Sequence, residues 1–401
     1  MKNFPDHLKQ FFFMAIVLMI AFQSCKKDDP PPPETHERGE IIQSNSLETY
    51  TPDNIQQILD AAGVQLPFVL NYDVEVLSVN YYTVDGSGKE IVASGAFFIP
   101  QGADNFSLLS LQHGTETKRN LVASVSPSNS TEGVIGLVTA SMGYVTLVPD
   151  YPGFGVSDVM HPYMHAELLT ACVIDFMRAG KSYSSANNIV LDGQVFLSGY
   201  SEGGYVTLIT QKIIEEDYAD EFSLTSVAPM AGPYDLKGMS DSIFQDVSYS
   251  TPAYVAFLLT SYNEIYEWNR LDDFFKAPYA SMMPGLFNGS KTWGEIVNQL
   301  PATLSEMMNP AFIADYNNGN ETDVMAALQE NTLLDWTPQA PIHFFHGDAD
   351  NVVPIQNTLT AMEVFSANGA GNIQLTTIPG GTHETAGPYA IIGAIQWFES
   401  F

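Results

Sequence analysis

The chain has 401 residues, 45% hydrophobic and 15% charged, which is enough apolar material for a sizeable core and too much for a disordered chain. Acidic residues outnumber basic ones 46 to 15, a formal net charge of -31. A surface this acidic repels phosphate backbones and anionic lipid heads, so nucleic acid is excluded as an expected partner.

Lys2 and Lys9 flank the start of the chain, and residues 11–22, FFFMAIVLMIAF, form an unbroken apolar run. A helix needs about 20 apolar residues to span a bilayer. The run is shorter and fits the hydrophobic region of a signal peptide over residues 1–24. It is followed by FQSCKKDD, and Ser24–Cys25 at this place resembles a bacterial lipoprotein signal, with Phe22 where that pattern usually has Leu. The resemblance implies cleavage before Cys25, lipid on its sulfur, and an exported chain anchored to a bacterial membrane on its periplasmic or outer face. Residues 28–40, DDPPPPETHERGE, read as an extended Pro-rich tether, which gives a tether domain over 25–45. The second cysteine, Cys172, lies in LLTACVIDFM and reads as a small buried hydrophobe.

Past the tether the chain alternates. YDVEVLSVNYYTV and EIVASGAFFI have strand character about a DGSG turn, and FSLLSLQHG and GYVTLVPD are shorter apolar runs. A helix is expected from about His165 to Gly180. QVFLSGYS is a strand and residues 203–216 a helix. LTSVAPMAG, PIHFFHGDAD and NIQLTTIPGG are further strands, with helices over 355–367 and 386–399. This order predicts an α/β fold: a mostly parallel central sheet with helices on both faces. About 100 residues interrupt it between LTSVAPMAG and PIHFFHGDAD, far beyond an ordinary connection. This insertion, 233–338, is rich in Met and aromatics and reads as a mainly helical cap. The core is then 46–232 and 339–401.

The chemistry centres on GYSEGG, Gly199 to Gly204. A Gly-x-Ser-x-Gly arises by chance in roughly one chain in seven of this length. Its place at a strand-to-helix joint is more informative, because the helix N-terminus offers free N–H groups to a developing oxyanion. A nucleophilic Ser201 needs a base and an orienting carboxylate. His7 and His36 lie in the signal and the tether, and His343 inside a strand. His161 and His165 are four apart, but no Cys or third ligand accompanies them, and no metal or other cofactor is expected. His113 and His346 each end a strand. His383, in IPGGTHE after the last strand, follows the serine in a Gly-rich loop, where a parallel sheet collects its functional groups. The acid must come from HGDADNVVP, which offers Asp348 and Asp350.

GYSEGG, HGDADNVVP and GGTHE together resemble the α/β-hydrolase superfamily, most nearly secretory lipases and carboxylesterase-type serine hydrolases. The resemblance places the acid at Asp350, leaving Asp348 as a turn residue. It implies an oxyanion hole from the N–H groups of Thr115, in LQHGTET, and Glu202. VPDYPGFGVSD, residues 148–158, resembles a loop that shapes the pocket floor in that group. The expected activity is hydrolysis of small-molecule or lipid esters through Ser201, His383 and Asp350 and an acyl-enzyme, and with the insertion's wide apolar wall its specificity is expected to climb from acetate toward medium-chain esters. The alternatives are an aminopeptidase or amidase using the same three residues, and a non-catalytic, surface-anchored binding lipoprotein.

Overall fold

The computed structural model describes residues 36–102, 104–332 and 334–401. The signal segment 1–24, Cys25 and the tether through residue 35 lie outside the described residues. Nine strands form one sheet: β1 (Ile41–Tyr50), β2 (Val74–Val84), β3 (Glu90–Pro100), β4 (Phe106–Gln112), β5 (Tyr144–Pro149), β6 (Leu191–Tyr200), β7 (Ser226–Met230), β8 (Ile342–Gly347) and β9 (Ile373–Ile378). Their order is β1-β2-β3-β5-β4-β6-β7-β8-β9. The first three pair antiparallel with one another, and β3 pairs antiparallel with β5. From β5 through β4 to β9 every pairing is parallel. The expected mostly parallel sheet is therefore present, with an antiparallel flank.

Helices cover both faces. On one side lie α1 (Pro52–Ala61), α2 (Thr131–Met142) and α14 (His383–Phe398); on the other lie α3 (Ala166–Ala186), α4 (Glu202–Asp217) and α13 (Gln356–Ala367). Period-2 alternation sorts the strand side chains between them. Phe97 packs on the α3 side and its neighbour Phe98 on the α2 side. Phe344 and Phe345 divide in the same way at β8. Strands β4, β5, β7 and β8 are buried almost throughout, which is why they read as continuous apolar runs.

The sheet starts earlier than expected. Residues 41–45, assigned to the tether, belong to β1, an edge strand exposed along most of its length. Two helices had no counterpart in the sequence reading: α1, with a Thr51–Asn54 capping box, and α2, capped by Ser130 and ended by Gly143 at φ 114°. Cys172 is buried as expected, with its sulfur 2.8 Å from the Tyr81 hydroxyl.

Between β7 and β8 the chain runs through eight helices: α5 (Leu236–Gln245), α6 (Pro252–Ile265), α7 (Leu271–Phe274), α8 (Tyr279–Leu286), α9 (Trp293–Val297), α10 (Leu304–Met307), α11 (Pro310–Asn317) and α12 (Thr322–Glu330). This is the mainly helical insertion. Its aromatics join it to the core, with Phe257 stacked on Tyr163 at 4.3 Å and on Phe287 at 4.6 Å. Polar ties reinforce the seam: the Tyr262 hydroxyl donates to the Met164 carbonyl at 2.9 Å, and the Tyr205 hydroxyl to that of Asn331 at 2.7 Å. Residues Glu37–Phe401 pack as one unit.

Candidate active site

Parallel strands deliver the candidate residues to one edge of the sheet. Thr115 follows β4, Ser201 follows β6, Asp350 follows β8 and His383 follows β9. Ser201 sits on the turn between β6 and α4 with φ 60° and ψ -121°. The glycines around it are dictated by space. A Cβ on Gly199 would stand 2.4 Å from the Gly203 carbonyl oxygen. One on Gly203 would stand 2.1 Å from that of Gln112, and one on Gly204 2.2 Å from that of Met230. No side chain fits at those approaches.

The Ser201 hydroxyl donates to His383 Nε2 at 2.8 Å. His383 Nδ1 in turn donates to Asp350 Oδ2 at 2.6 Å. Asp350 Oδ1 accepts from the N–H groups of Val352 and Val353, both at 2.9 Å. Ser201, His383 and Asp350 are 9, 8 and 7% exposed, so the chain of bonds is largely buried. Burial alone would raise the Asp350 pKa. The His346 and His383 rings and the Val353 N–H outweigh it and hold the carboxyl down to about 2. Asp350 is thus ionised at neutral pH and fixes the His383 tautomer that can accept the serine proton. Asp348 points elsewhere, accepting from the Gly380 N–H at 2.6 Å across the loop after β9.

His383 is the first residue of α14 and not a loop residue as expected. Thr382 and Thr385 cap that helix reciprocally. The Tyr200 hydroxyl donates to the His383 carbonyl at 2.6 Å, so the residue before the serine anchors the helix that carries the histidine. His346, read only as a strand end, lies 3.5 Å from Asp350 Oδ2 and donates to the Val353 carbonyl at 2.8 Å. It buttresses the loop whose N–H groups hold Asp350.

Thr115 lines the cavity beside Ser201, and Glu202 is the first residue of α4. The N–H of Gly114 is taken by Glu132 Oε1 at 2.9 Å. Among the described residues the N–H groups of Thr115 and Glu202 have no partner. A Cβ on Gly114 would stand 3.3 Å from the Tyr200 carbonyl oxygen and 4.0 Å from Ser201 Cβ, so this loop runs directly past the serine. His113 holds it from below. Its Nδ1 donates to the Gly114 carbonyl at 2.7 Å and its Nε2 to the Asp150 carbonyl at 2.8 Å. Burial works against a charged ring, but the Glu132 and Glu202 carboxylates and the two carbonyls outweigh it, and the His113 pKa is raised.

The side chain of Glu202, of which the sequence reading used only the N–H, is fully buried and meets His161 Nε2 at 2.8 Å. His161 Nδ1 donates to the Pro152 carbonyl at 2.9 Å. His161 is therefore spent on the turn that carries Ser201, and His165 caps α3. The two are not a helical pair. No sequence signal links residues 41 apart to one buried contact. Of the 148–158 segment, Val148 lines the cavity beside Ser201, and residues 150–158 pack beneath His113, with Tyr151 stacked on it at 3.9 Å. Its expected place at the pocket floor holds at Val148 alone, while the rest supports the loop after β4.

Two spaces meet at Ser201. One is a cavity of 540 Å³ between the oxyanion loop, α2 and the start of α14, walled by Thr115, Glu116, Glu132, His383 and Glu384 among others. The other is a slot of 50 Å³ under the insertion, lined by Leu236, Met239, Ile243, Tyr249, Val255 and Leu258 with Tyr163 and Val353. Tyr254 borders both. The slot is much smaller than the composition of the insertion implied. Met283, Met307 and Met308 are buried inside the insertion's own core, and of the insertion's methionines only Met239 lines the slot.

In the comparisons with known proteins, lipase 6 of Candida albicans is 24% identical over 276 residues, covering 64% of this chain and 55% of that protein. The chain thus spans about half the length of that curated relative. A solved rice cell wall degrading esterase, LipA of Xanthomonas oryzae, is 28% identical, with a TM-score of 0.80 over 90% of this chain and 96% of that one. Candida antarctica lipase A in its closed state shares the fold at 16% identity, with a TM-score of 0.67 over 93% and 85% of the two chains. The secretory lipase family model matches residues 132–400. With the α/β-hydrolase sheet, the strand-to-helix serine turn and a family match over more than half of its length, the chain belongs to the secretory lipase family.

Proposed function

We propose that this chain hydrolyses carboxylic esters as a serine hydrolase. The observation that carries the reading is the unbroken Ser201–His383–Asp350 hydrogen-bond chain. Ser201 Oγ attacks the ester carbonyl carbon as its proton passes to His383 Nε2. The carbonyl oxygen becomes an oxyanion held by the N–H groups of Thr115 and Glu202, each such donor typically contributing about 3 kcal/mol. The bond to the alcohol oxygen then breaks, and that oxygen takes the proton from His383. Water enters, gives a proton to His383 and adds to the acyl carbon; the bond to Ser201 Oγ then breaks, releasing the acid, and His383 returns the proton to Oγ. Asp350 stabilises the imidazolium in both halves.

The two spaces divide the substrate. The leaving oxygen must reach His383 Nε2, and His383 lines the large cavity but not the slot. The alcohol therefore lies in the cavity and the acyl group in the slot. A cavity of 150 Å³ admits benzene, so the 50 Å³ slot holds about two or three carbons by that measure. The reading is thus a short-acyl esterase, and the climb toward medium chains expected from composition stops at about butyrate.

The test is hydrolysis of p-nitrophenyl esters of graded acyl length beside aminoacyl anilides, with covalent trapping by an organophosphonate ester. Turnover peaking near butyrate and a single adduct on Ser201 are expected. Faster cleavage of the anilides would move the assignment to an amidase.

Export and anchoring through Cys25 belong to the same proposal. Among the described residues no helix is long and apolar enough to cross a membrane. A radioactive fatty acid fed to expressing cells is expected to label the wild type and not Cys25→Ser. Label in both or in neither contradicts the anchor.

A further inference from the structure

Beyond the catalytic cavity lies a second apolar space that the chemistry above does not use. It is a groove of 370 Å³ between α1, α2 and α14. Its walls include Val64, Leu66, Val134, Ile391, Ile392 and Ile395, most of them only half-buried. The groove and the 540 Å³ cavity share a rim made of residues 129–131, Ile135, Pro388 and Ile391. The same helix, α14, begins with His383 and carries Ile391, Ile392 and Ile395 in the groove. At 1.5 Å per residue these lie about 12 to 18 Å from His383 along the helix axis, within the span of an extended hydrocarbon chain.

We propose that this groove is a binding site for a hydrocarbon tail on the alcohol half of the substrate. The inference rests on the ester-hydrolase reading and on its assignment of the alcohol to the cavity. A substrate that fills all three spaces is a short-chain ester of a polar, uncharged alcohol bearing a long alkyl substituent, as in an alkylglycerol. The scissile acyl group sits in the slot and the polar backbone crosses the cavity. The tail passes over the rim onto the aliphatic faces of α2 and α14. Glu116, Glu132 and Glu384 along the cavity disfavour an anionic linker such as a phosphodiester, because like charges repel. A substrate of this shape differs from one recognised through its acyl chain: lengthening the acyl group soon meets the end of the slot, while lengthening the alcohol substituent goes on burying surface.

The experiment uses butyrate monoesters of 1-O-alkylglycerols, with the alkyl group running from ethyl to dodecyl, and the full chain in the wild-type, Ile392→Asp and Val64→Asp forms. The readout is the ratio of kcat/KM for the dodecyl to the ethyl substrate, in which a general loss of folded enzyme cancels. In the wild type the ratio is expected to reach about a hundredfold, well under the ceiling of about fourfold for each methylene buried. Either substitution, one on a helix and one on a loop, is expected to lower it at least about tenfold, since a carboxylate faces the tail. A flat series in the wild type, as when another segment or partner covers the groove, overturns the proposal. So does a climb that survives in both variants. A climb with acyl length that both variants abolish would place the acyl chain in the groove and overturn the assignment to the alcohol half. Failure of the ester-hydrolase reading shows separately, as no turnover of p-nitrophenyl butyrate by any form, and overturns both.

Discussion

The two sides of Ser201 differ in what builds them. The slot lies under the insertion, whose α5 and α6 supply half of its lining. The cavity opposite is walled by the core, from the loop after β4, α2 and α14. The slot is narrow and almost wholly apolar, whereas the cavity is ten times larger by volume (540 against 50 Å³) and carries three carboxylates. An insertion that packs its own methionines and aromatics inward leaves little room beneath it. The core face between the loop after β4, α2 and α14 leaves a great deal. The lesson is that the amount of apolar surface in a cap does not measure the apolar space it encloses.

The bluntest way to break the comparison is to remove what the two sides share. Ser201→Ala is expected to lower turnover by at least about 10⁴-fold on every ester, whichever side is varied, with an unchanged circular dichroism spectrum. A loss confined to one substrate series would mean that the serine belongs to one side only. Asp350→Asn comes next, at about 10⁴-fold, through the wrong histidine tautomer. Asp348→Asn is expected to cost far less, since its carboxylate only holds the Gly380 N–H. A reversed pair would relocate the acid by two residues.

Enlarging the slot sharpens the comparison. Leu258→Ala removes a wall on the insertion side. It is expected to raise the ratio of hexanoate to butyrate kcat/KM about tenfold, against a ceiling of about fourfold per methylene. The alkyl dependence on the alcohol side should stay as it was, and parallel changes in both would show that the spaces are not separate. A smaller effect is expected from Tyr200→Phe, which frees the His383 carbonyl. One lost hydrogen bond of about 1 kcal/mol corresponds to a few-fold fall in turnover, shared equally by both substrate series. The finest test is acid. Asp350 has a folded pKa of about 2, below its unfolded value of about 3.9. Its ionisation therefore stabilises the fold fully above about pH 4, and that contribution is lost as pH falls toward 2. The difference in Tm between wild type and Asp350→Asn should stay constant from pH 7 to about pH 4 and shrink only below it.

The same contrast runs through what could be read from the amino acids. Strands β4, β5, β7 and β8 were legible because parallel strands buried on both faces appear as apolar runs. The three candidate catalytic residues were legible because a serine turn, an acid loop and a terminal histidine fall in the chain order of the fold. Strand β1 was not, since QSNSLET within it lies on an exposed edge with no apolar face to betray its period. Helix α2 was hidden for the opposite reason: from Leu137 to Ser141 it is buried all round, so its hydrophobicity has no 3.6-residue rhythm. The buried Glu202–His161 contact and the Tyr200 anchor join residues 41 and 183 apart. Only the folded sheet brings them together, and no local pattern carries them.

The backbone of Ser201, at φ 60°, has a consequence for how this chain can change. Conformations of this kind cost an L-residue on the order of 1–3 kcal/mol, and glycine escapes most of that penalty. The proposed catalytic position is therefore the one at which Ser201→Gly is expected to yield a chain that resists heat and urea better than the parent while hydrolysing nothing. Selection for thermal endurance alone, without a demand for turnover, would drift toward that inert variant. The neighbouring glycines hold the turn in place against such drift, because each already occupies a space with no room for a larger residue. On the proposed function, Ser201 is thus a side chain held for use at a place where the fold would be more stable without it.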